Sequence, residues 1–306
     1  MVKASIDIGS NSVLLLIAEI DGKKITMHKS QSTITALGRT IDQLGCFDDV
    51  SMKETFNTLK KYKDICLNFS IEPKDVVVTA TEASRVSTNA KDFFYKVYKE
   101  IGFRTDILTS EGEAYYSTQG ILLDVPFKKM IYIMDIGGAS TELICVNEKF
   151  EIVNSYSFPI GAVRVSSWIG SKNYENKMNE FLQDFKSEII QFSCDELICV
   201  AGTMTSVCNI YLENTEFEES KVHNTKIKTH DLFDKVKSLE KMSNEVILQK
   251  YPFLGKRAQN LKGGILVAKM FLRLLKTKGV IISTYGLRYG TLKEGGVKDG
   301  FIYERL

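Results

Sequence analysis

One ten-residue stretch, Met134–Leu143, constrains this chain more than any other. It reads M-D-I-G-G-A-S-T-E-L and lies between two apolar runs, 130–134 and 143–146. Apolar runs on either side of a glycine pair predict a strand, a tight turn and a second strand. Glycines let a backbone approach a ligand closely and present N–H groups to an anion. The stretch therefore predicts a hairpin whose turn binds a negatively charged group.

The same pattern occurs near the N-terminus. Residues 4–17 contain an apolar run, the triplet D-I-G at 7–9, small polar residues and a second apolar run. Each copy leads into a hairpin signal, at 21–22 in the first copy and at 147–149 in the second. A repeated D-I-G hairpin suggests two related halves that face each other across a cleft.

The length of 306 residues allows two domains, each with its own core. We predict an N-terminal domain at 1–124 and a C-terminal domain at 125–306, whose final helix is able to pack back on the first domain. The order β-β-β-α occurs twice along the chain. This order predicts an α/β protein with mixed sheets flanked by helices.

Composition narrows the class of protein. Hydrophobic residues make up 44% and charged residues 25%, as in ordinary globular domains. No apolar run is long enough for a membrane span, and a strand beginning near Ala4 leaves no room for a signal peptide. Six cysteines lack C-x-x-C spacing, and three distant histidines give no zinc signature. We therefore expect a cytoplasmic protein that binds neither membrane nor nucleic acid.

Charged residues follow two further predicted strands. Arg85 follows the strand at 75–79, at the sheet edge where open α/β sheets bind ligands. An arginine there can grip a phosphate with two parallel hydrogen bonds, although a surface salt bridge is the alternative. Glu111 and Glu113 begin the helix after the strand at 106–110. Such acids either balance the helix dipole or, beside a phosphate, act as a general base.

Small residues follow a later strand, at 197–200. Gly202 and Thr203 lie between that strand and the next predicted helix, which suggests a second anion loop. The segment 31–49 has no clear period and is predicted as loop and short elements. Amphipathic helices are predicted at 51–69, 90–101, 178–192, 231–242 and 255–276.

Taken together, these residues resemble the exopolyphosphatase/guanosine pentaphosphate phosphatase (Ppx/GppA) family of the actin-like ATPase superfamily. The matching motifs occur in order along nearly the whole chain: D-I-G-S-N-S at 7–12, A-T-x-A-x-R at 80–85, E-A at 113–114, D-I-G-G-x-S-T-E at 135–142, P-x-G-A-V-R at 159–164, G-T at 202–203, R-A at 257–258 with Gly264, and Y-G-L-R-x-G at 285–290. The resemblance implies two actin-like (ribonuclease H-like) domains.

The resemblance also implies roles for particular residues. Glu113 resembles the catalytic glutamate that activates water. A bound Mg²⁺ or Mn²⁺ is implied at three carboxylates: Asp7, Asp135 and Glu142. Phosphate contacts are implied at Asp7, Gly9, Ser10, Asn11, Arg85, Gly137, Gly138, Ser140, Gly202 and Thr203. These parts suit phosphoryl transfer, which needs a positioned water, a metal ion and donors for the developing charge.

The chain departs from the family pattern at several positions. Ala139 replaces the third glycine after Asp135, so that a methyl group could narrow the phosphate approach. Gly112 interrupts the acidic run and leaves Glu111 as an alternative base. Met204 stands where small residues are common. The chain also resembles the short members of the family, without a C-terminal HD-type domain.

Three functions are consistent with these motifs. The first is Mg²⁺-dependent removal of terminal phosphate from inorganic polyphosphate. The second is removal of the 5′ terminal phosphate of guanosine pentaphosphate, because one phosphate end fits both substrates. The third is a non-catalytic sensor that binds a nucleotide or polyphosphate; a sugar kinase of the same superfamily fits the Arg85 and Arg288 motifs less well. A homodimer is implied by the family alone.

Overall fold

The chain forms two compact units in this computed structural model, which describes residues 1–22, 24–125, 130–171 and 173–306. The first unit comprises the described residues up to 125 together with 285–306, and the second comprises those from 130 to 284. Residues 285–306, which include the final helix of the domain predicted at 125–306, thus belong to the first unit.

The strands and helices follow one another in a regular order. The strands are β1 (Lys3–Ile8), β2 (Ser12–Asp21), β3 (Lys24–Ile34), β4 (Val76–Ala80), β5 (Thr105–Leu108), β6 (Ile131–Ile136), β7 (Thr141–Val146), β8 (Ile152–Phe158), β9 (Glu196–Val200), β10 (Thr225–Lys228), β11 (Gly279–Ile282) and β12 (Ile302–Arg305). The α-helices are α1 (Ile41–Leu44), α2 (Asp49–Asn68), α3 (Glu82–Val86), α4 (Ala90–Ile101), α5 (Ser110–Ile121), α6 (Ala162–Gly170), α7 (Tyr174–Ile190), α8 (Ala201–Tyr211), α9 (Glu219–Val222), α10 (Thr229–Glu240), α11 (Asn244–Lys250), α12 (Ala258–Leu274) and α13 (Leu287–Glu294). Short 3₁₀ helices occupy Pro73–Asp75, Pro252–Arg257 and Asp299–Phe301.

Each unit contains one six-stranded mixed sheet, and the two sheets have the same topology. The order is β12-β5-β4-β1-β2-β3 in the first unit and β10-β11-β9-β6-β7-β8 in the second. Strands β1, β4 and β5 are parallel, as are β6, β9 and β11. The carboxyl ends of each parallel set therefore lie at one sheet edge, which is where the predicted functional residues occur.

The sheet of the first unit is covered on both faces. Val13 and Leu15 of β2 pack into a core with α2 and α4, whereas Leu16 packs with Leu292 of α13. This division follows from strand geometry, because successive side chains point to opposite faces. The sheet is therefore held between two helical layers.

Glycines allow α5 and α13 to cross at close range. A Cβ at Gly120 would lie 2.1 Å from the carbonyl oxygen of Gly286, and one at Gly290 would lie 1.9 Å from that of Tyr116. The nearby Arg288 donates a hydrogen bond from Nη1 to the carbonyl oxygen of Leu15, at 2.8 Å. The Y-G-L-R-x-G motif thus packs the last helix onto the first unit.

Two predicted elements differ from the observed ones. The segment 31–49 begins in strand rather than loop, because β3 continues to Ile34 through its pairing with β2. The helix predicted at 255–276 begins later, at Ala258. Gly255, which adopts φ +52°, lies in the preceding 3₁₀ helix.

Candidate functional site

The two D-I-G turns have the same backbone geometry. The Gly9 N–H donates to the Ser12 carbonyl at 2.9 Å, and the Gly137 N–H donates to the Ser140 carbonyl at 2.9 Å. Each turn follows the central strand of its sheet, β1 or β6. The repeat found in the sequence is therefore a repeat of local structure.

The turn of the second unit is held by the start of α6. The carbonyl oxygens of Gly137 and Gly138 accept hydrogen bonds of 2.8, 3.0 and 3.2 Å from the first three N–H groups of that helix. The carbonyl of Ala139 accepts a hydrogen bond of 2.8 Å from Nη1 of Arg164. Three successive carbonyl groups of the turn are thus drawn to one side, towards α6.

The direction of these carbonyls fixes the direction of the peptide N–H groups. In a trans peptide the C=O and the following N–H point in opposite directions, and none of the described peptides is cis. The N–H groups of Gly138, Ala139 and Ser140 are therefore turned away from α6. Successive N–H groups that point the same way form a concave site for an anion.

The P-x-G-A-V-R motif supports this turn. A Cβ at Gly161 would lie 2.5 Å from the Gly138 carbonyl oxygen, so only glycine allows α6 to begin so close. Ala139, which replaces a family glycine, is 8% exposed and is absent from the described residues with positive φ. Its methyl group therefore costs no backbone strain.

Two carboxylates lie on neighbouring strands beside this turn. Asp135 of β6 is directly opposite Glu142 of β7, and the Ser157 hydroxyl donates to Oε1 of Glu142 at 2.7 Å. Like charges placed directly opposite each other destabilise a sheet. Mg²⁺ is commonly held by one or two carboxylates, with water and phosphate oxygens as the other ligands.

The donor set therefore fits a divalent cation that completes its shell outside the protein. The described parts of the chain contain no cluster of three or more Asp, Glu, His or Cys side chains able to hold a metal. Asp7, the third predicted metal ligand, lies opposite Leu14 in the first unit.

The start of α8 lies at the same sheet edge as Asp135, because Val200 of β9 pairs with Asp135 of β6. Gly202 and Thr203 lie in the first turn of α8 rather than in a separate loop, because α8 begins at Ala201, directly after β9. A Cβ at Gly202 would lie 2.9 Å from the guanidinium carbon of Arg257. This arginine brings a positive charge to the helix N-terminus.

The first unit holds its own turn differently. The Ser10 carbonyl accepts a hydrogen bond of 2.8 Å from the Gly38 N–H, and the Asn11 carbonyl accepts bonds of 3.1 and 3.0 Å from Thr35 and Ala36. In the first unit, irregular backbone after β3 thus supports the turn, whereas in the second unit the start of α6 does so. Because the peptide between Ser10 and Asn11 is trans, the Asn11 N–H points away from this segment.

Arg85 and Glu113 form an ion pair in the first unit. Arg85 Nη1 donates to Oε2 of Glu113 at 2.5 Å and to the Leu108 carbonyl at 2.7 Å. Their side chains are only 11% and 10% exposed. Both residues follow the carboxyl ends of parallel strands, β4 and β5, whose Ala80 and Ile107 are paired. The salt bridge considered for Arg85 thus exists, but its partner is the predicted base.

The alternative base, Glu111, has a different environment. Glu111 is exposed, whereas Glu113 is 8% exposed and anchored by Arg85. Between them, Gly112 lies against the backbone of Phe301. Burial and a fixed partner favour Glu113 over Glu111.

Sequence reasoning missed several residues that support these turns. Ser157 binds Glu142, Gly38 binds the Ser10 carbonyl, and the Arg164 and Arg257 side chains lie at the second turn and at α8. The two arginines were visible within family motifs. Ser157 and Gly38 act across a strand pair or a loop and carry no local signal.

A model of the Ppx/GppA phosphatase family matches residues 16–296. The chain belongs to this family. It is 30% identical over 315 residues to a bifunctional 3-dehydroquinate synthase/phosphatase of Fusobacterium nucleatum, covering 96% of this chain but only 46% of that relative. The chain therefore spans less than half the length of this relative.

This chain covers different shares of two other relatives. Exopolyphosphatase 2 of Mycobacterium tuberculosis is 24% identical, with 97% of this chain and 96% of the relative covered. A guanosine-5′-triphosphate,3′-diphosphate pyrophosphatase of Vibrio cholerae is 24% identical, with 99% of this chain and 59% of the relative covered.

Solved structures show the same fold. The crystal structure of the Aquifex aeolicus Ppx/GppA family member matches with a TM-score of 0.77 and 26% identity, over 96% of this chain and 97% of that one. An exopolyphosphatase from Cytophaga hutchinsonii matches with a TM-score of 0.85 and 24% identity, over 97% and 99%. The predicted actin-like fold with two mixed, helix-flanked sheets is confirmed. Within the described ranges, no helix has the length and apolarity that a membrane span requires.

Proposed function

We propose that this Ppx/GppA chain is a Mg²⁺-dependent phosphohydrolase that removes the terminal phosphate of inorganic polyphosphate. The observation that carries the proposal is the turn at 137–140, whose three peptide N–H groups point away from α6. Such donors match the oxygens of a terminal phosphate and need no reorganisation as charge develops. The name of the Mycobacterium tuberculosis relative supports polyphosphate as the substrate class.

Glu113 is the proposed general base. A carboxylate has two oxygens and several lone pairs, so binding Arg85 through Oε2 leaves it able to accept a proton from water. The positive charge of Arg85 stabilises the ionised carboxylate and fixes its orientation. We therefore assign Arg85 a positioning role towards Glu113 as well as the predicted attraction of phosphate.

Asp135 and Glu142 of the second unit would hold the Mg²⁺ or Mn²⁺ ion. When bound, the ion would neutralise charge on the phosphate oxygens. Ser157 keeps Glu142 oriented by donating to its Oε1. Gly202, Thr203 and the nearby Arg257 provide a further positive end for phosphate at the start of α8.

Guanosine pentaphosphate is the second candidate substrate. The name of the Vibrio cholerae relative favours it, and a terminal phosphate is common to both candidates. A sensor without catalysis is the remaining alternative. The retained Glu113, Asp135 and Glu142 argue against it.

The deciding experiment compares phosphate release from long-chain polyphosphate, short-chain polyphosphate, guanosine pentaphosphate and ATP, with and without Mg²⁺. We expect Mg²⁺-dependent release that is lost in Glu113→Gln and retained in Glu111→Gln, a matched change two residues away on the exposed side. The best substrate chooses between the two hydrolase hypotheses. Tight binding of one compound without any release would instead support the sensor.

Two further expectations accompany the proposal. All six cysteines are free. Burial raises the pKa of the Cys194 and Cys208 thiols to about 11, so these thiols are unreactive at neutral pH. Free thiols suit a reducing compartment, and we propose that the protein is cytoplasmic. A homodimer is proposed from the family resemblance, and sedimentation at several protein concentrations would test it.

A further inference from the structure

We infer that the C-terminal segment, Asp299–Arg305, is a positioning element for Glu113 and acts on it through Thr109. The inference rests on the proposed function, in which Glu113 is the base. It adds a role to residues far from Glu113 in sequence, and it explains why the acidic run at 111–113 contains a glycine.

A short series of hydrogen bonds connects this segment to Glu113. The Phe301 carbonyl accepts from the Thr109 N–H at 2.9 Å, and the Thr109 carbonyl accepts from the Glu113 N–H at 3.0 Å. The Thr109 hydroxyl also accepts from the Gly112 N–H at 3.1 Å and caps α5. The backbone of Glu113 is therefore two hydrogen bonds away from Phe301.

Packing and charge fix the C-terminal segment in place. The Phe301 ring stacks on Tyr115 of α5, with centroids 4.7 Å apart and planes at 26°. Strand β12 pairs with β5, the strand that leads into Thr109. Arg305 forms an ion pair of 2.6 Å with Asp106 of β5. The segment thus holds both β5 and the first turn of α5.

Gly112 is the point of closest approach. A Cβ there would lie 2.8 Å from the carbonyl oxygen and 2.9 Å from the Cβ of Phe301. Glycine is less favourable than alanine within a helix, so its presence needs a structural reason. The reason here is contact with the C-terminal segment, which a larger residue would displace from α5.

The test substitutes this glycine and a matched one. In Gly112→Ala the methyl group must separate α5 from Phe301, whereas Gly300→Ala adds a methyl to the same segment in open space. We expect Gly112→Ala to lower kcat for the best phosphate substrate about 10-fold with KM within about twofold, since small misplacements of reacting groups slow chemistry. Gly300→Ala should match the wild type in both kcat and KM.

A second pair of variants covers the case in which Gly112→Ala fails to fold. Phe301→Ala should lower kcat in the same manner, and Phe301→Tyr, which keeps the stacked ring, should restore it. Thermal unfolding and circular dichroism establish that each variant is folded at the assay temperature. A folded Gly112→Ala or Phe301→Ala with wild-type kcat would overturn the inference.

Glu113→Gln, assayed in parallel, separates this inference from the proposed function. If Glu113→Gln is inactive and the folded Gly112→Ala has wild-type kinetics, only the positioning role fails. If Glu113→Gln keeps full activity, Glu113 is not the base, and the positioning role fails together with that assignment while the phosphohydrolase activity itself stands. Loss of kcat in Gly112→Ala and Phe301→Ala, with recovery in Phe301→Tyr, supports the positioning role.

Discussion

The two D-I-G turns have the same backbone hydrogen bond but different surroundings. Opposite Asp135 on the next strand is a carboxylate, Glu142, whereas opposite Asp7 is the apolar Leu14. The second turn rests on a helix start, and the first rests on irregular backbone after β3. The comparison teaches that a repeated motif conserves the turn, while the neighbouring strand decides which chemistry the turn serves.

This difference predicts unequal roles for the two turns in metal binding. If the second turn is the main metal site, Glu142→Gln should raise the Mg²⁺ concentration at half-maximal rate about 100-fold or more, because loss of even an outer partner of a metal ligand weakens metal affinity about 10- to 100-fold. Asp7→Asn should have a smaller effect on the Mg²⁺ concentration at half-maximal rate. Titration of phosphate release against Mg²⁺ measures both. An equal increase of the half-maximal Mg²⁺ concentration in Glu142→Gln and Asp7→Asn would show that the two turns do not differ in metal binding.

The supports of the two turns should also differ in their tolerance of a methyl group. A Cβ at Gly161 meets the turn backbone at 2.5 Å, whereas one at Gly38 meets the Cβ of Ser10 at 2.9 Å. Gly161→Ala should therefore lower kcat about 10²-fold, as expected for a turn displaced by about 1 Å, and Gly38→Ala should lower it less. Gly170→Ala, at the end of α6 in open space, is the control. The reverse order would mean that the first turn is the more critical one.

Removal of a supporting hydroxyl should have a milder effect. Ser157→Ala deletes the donor to Glu142, and loss of such an outer partner commonly weakens metal affinity 10- to 100-fold. We expect about a 10-fold higher Mg²⁺ requirement with kcat recovered at saturating Mg²⁺. Ser155→Ala, on the same strand, provides a comparison. An unchanged Mg²⁺ titration would show that Ser157 does not orient a metal ligand.

A residue that caps a helix should affect stability more than catalysis. Asp48 caps α2, and hydrogen bonds from Arg39 and then Ser51 hold the pKa of its carboxyl well below the usual range. Because the folded pKa is lowered, this stabilisation is complete above the unfolded pKa of about 4 and is lost as the pH falls through the folded value. Asp48→Ala should cost about 1 kcal/mol at pH 7 and progressively less in acid. Denaturant unfolding at several pH values tests this, and kcat should not change.

The sequence predicted the local elements well because their signals are local. The run 75–79 and the amphipathic pattern at 51–69 correspond to β4 and α2 within one or two residues. The segment 31–34 was missed because its strand forms by pairing with β2 and lacks a clear apolar alternation of its own. The start of α12 was placed too early because Gly255 adopts a left-handed conformation.

The sequence by itself determined the two turns, the acids and arginine near them, and the fold class. Those features depend on residue type and spacing along a short stretch of chain. Only the tertiary structure decided that Arg85 pairs with Glu113, that Asp135 lies opposite Glu142, and that Phe301 lies on Gly112. Each of these contacts depends on which strands become neighbours in a sheet. Strand order is set by the packing of the whole unit, so no local pattern encodes it.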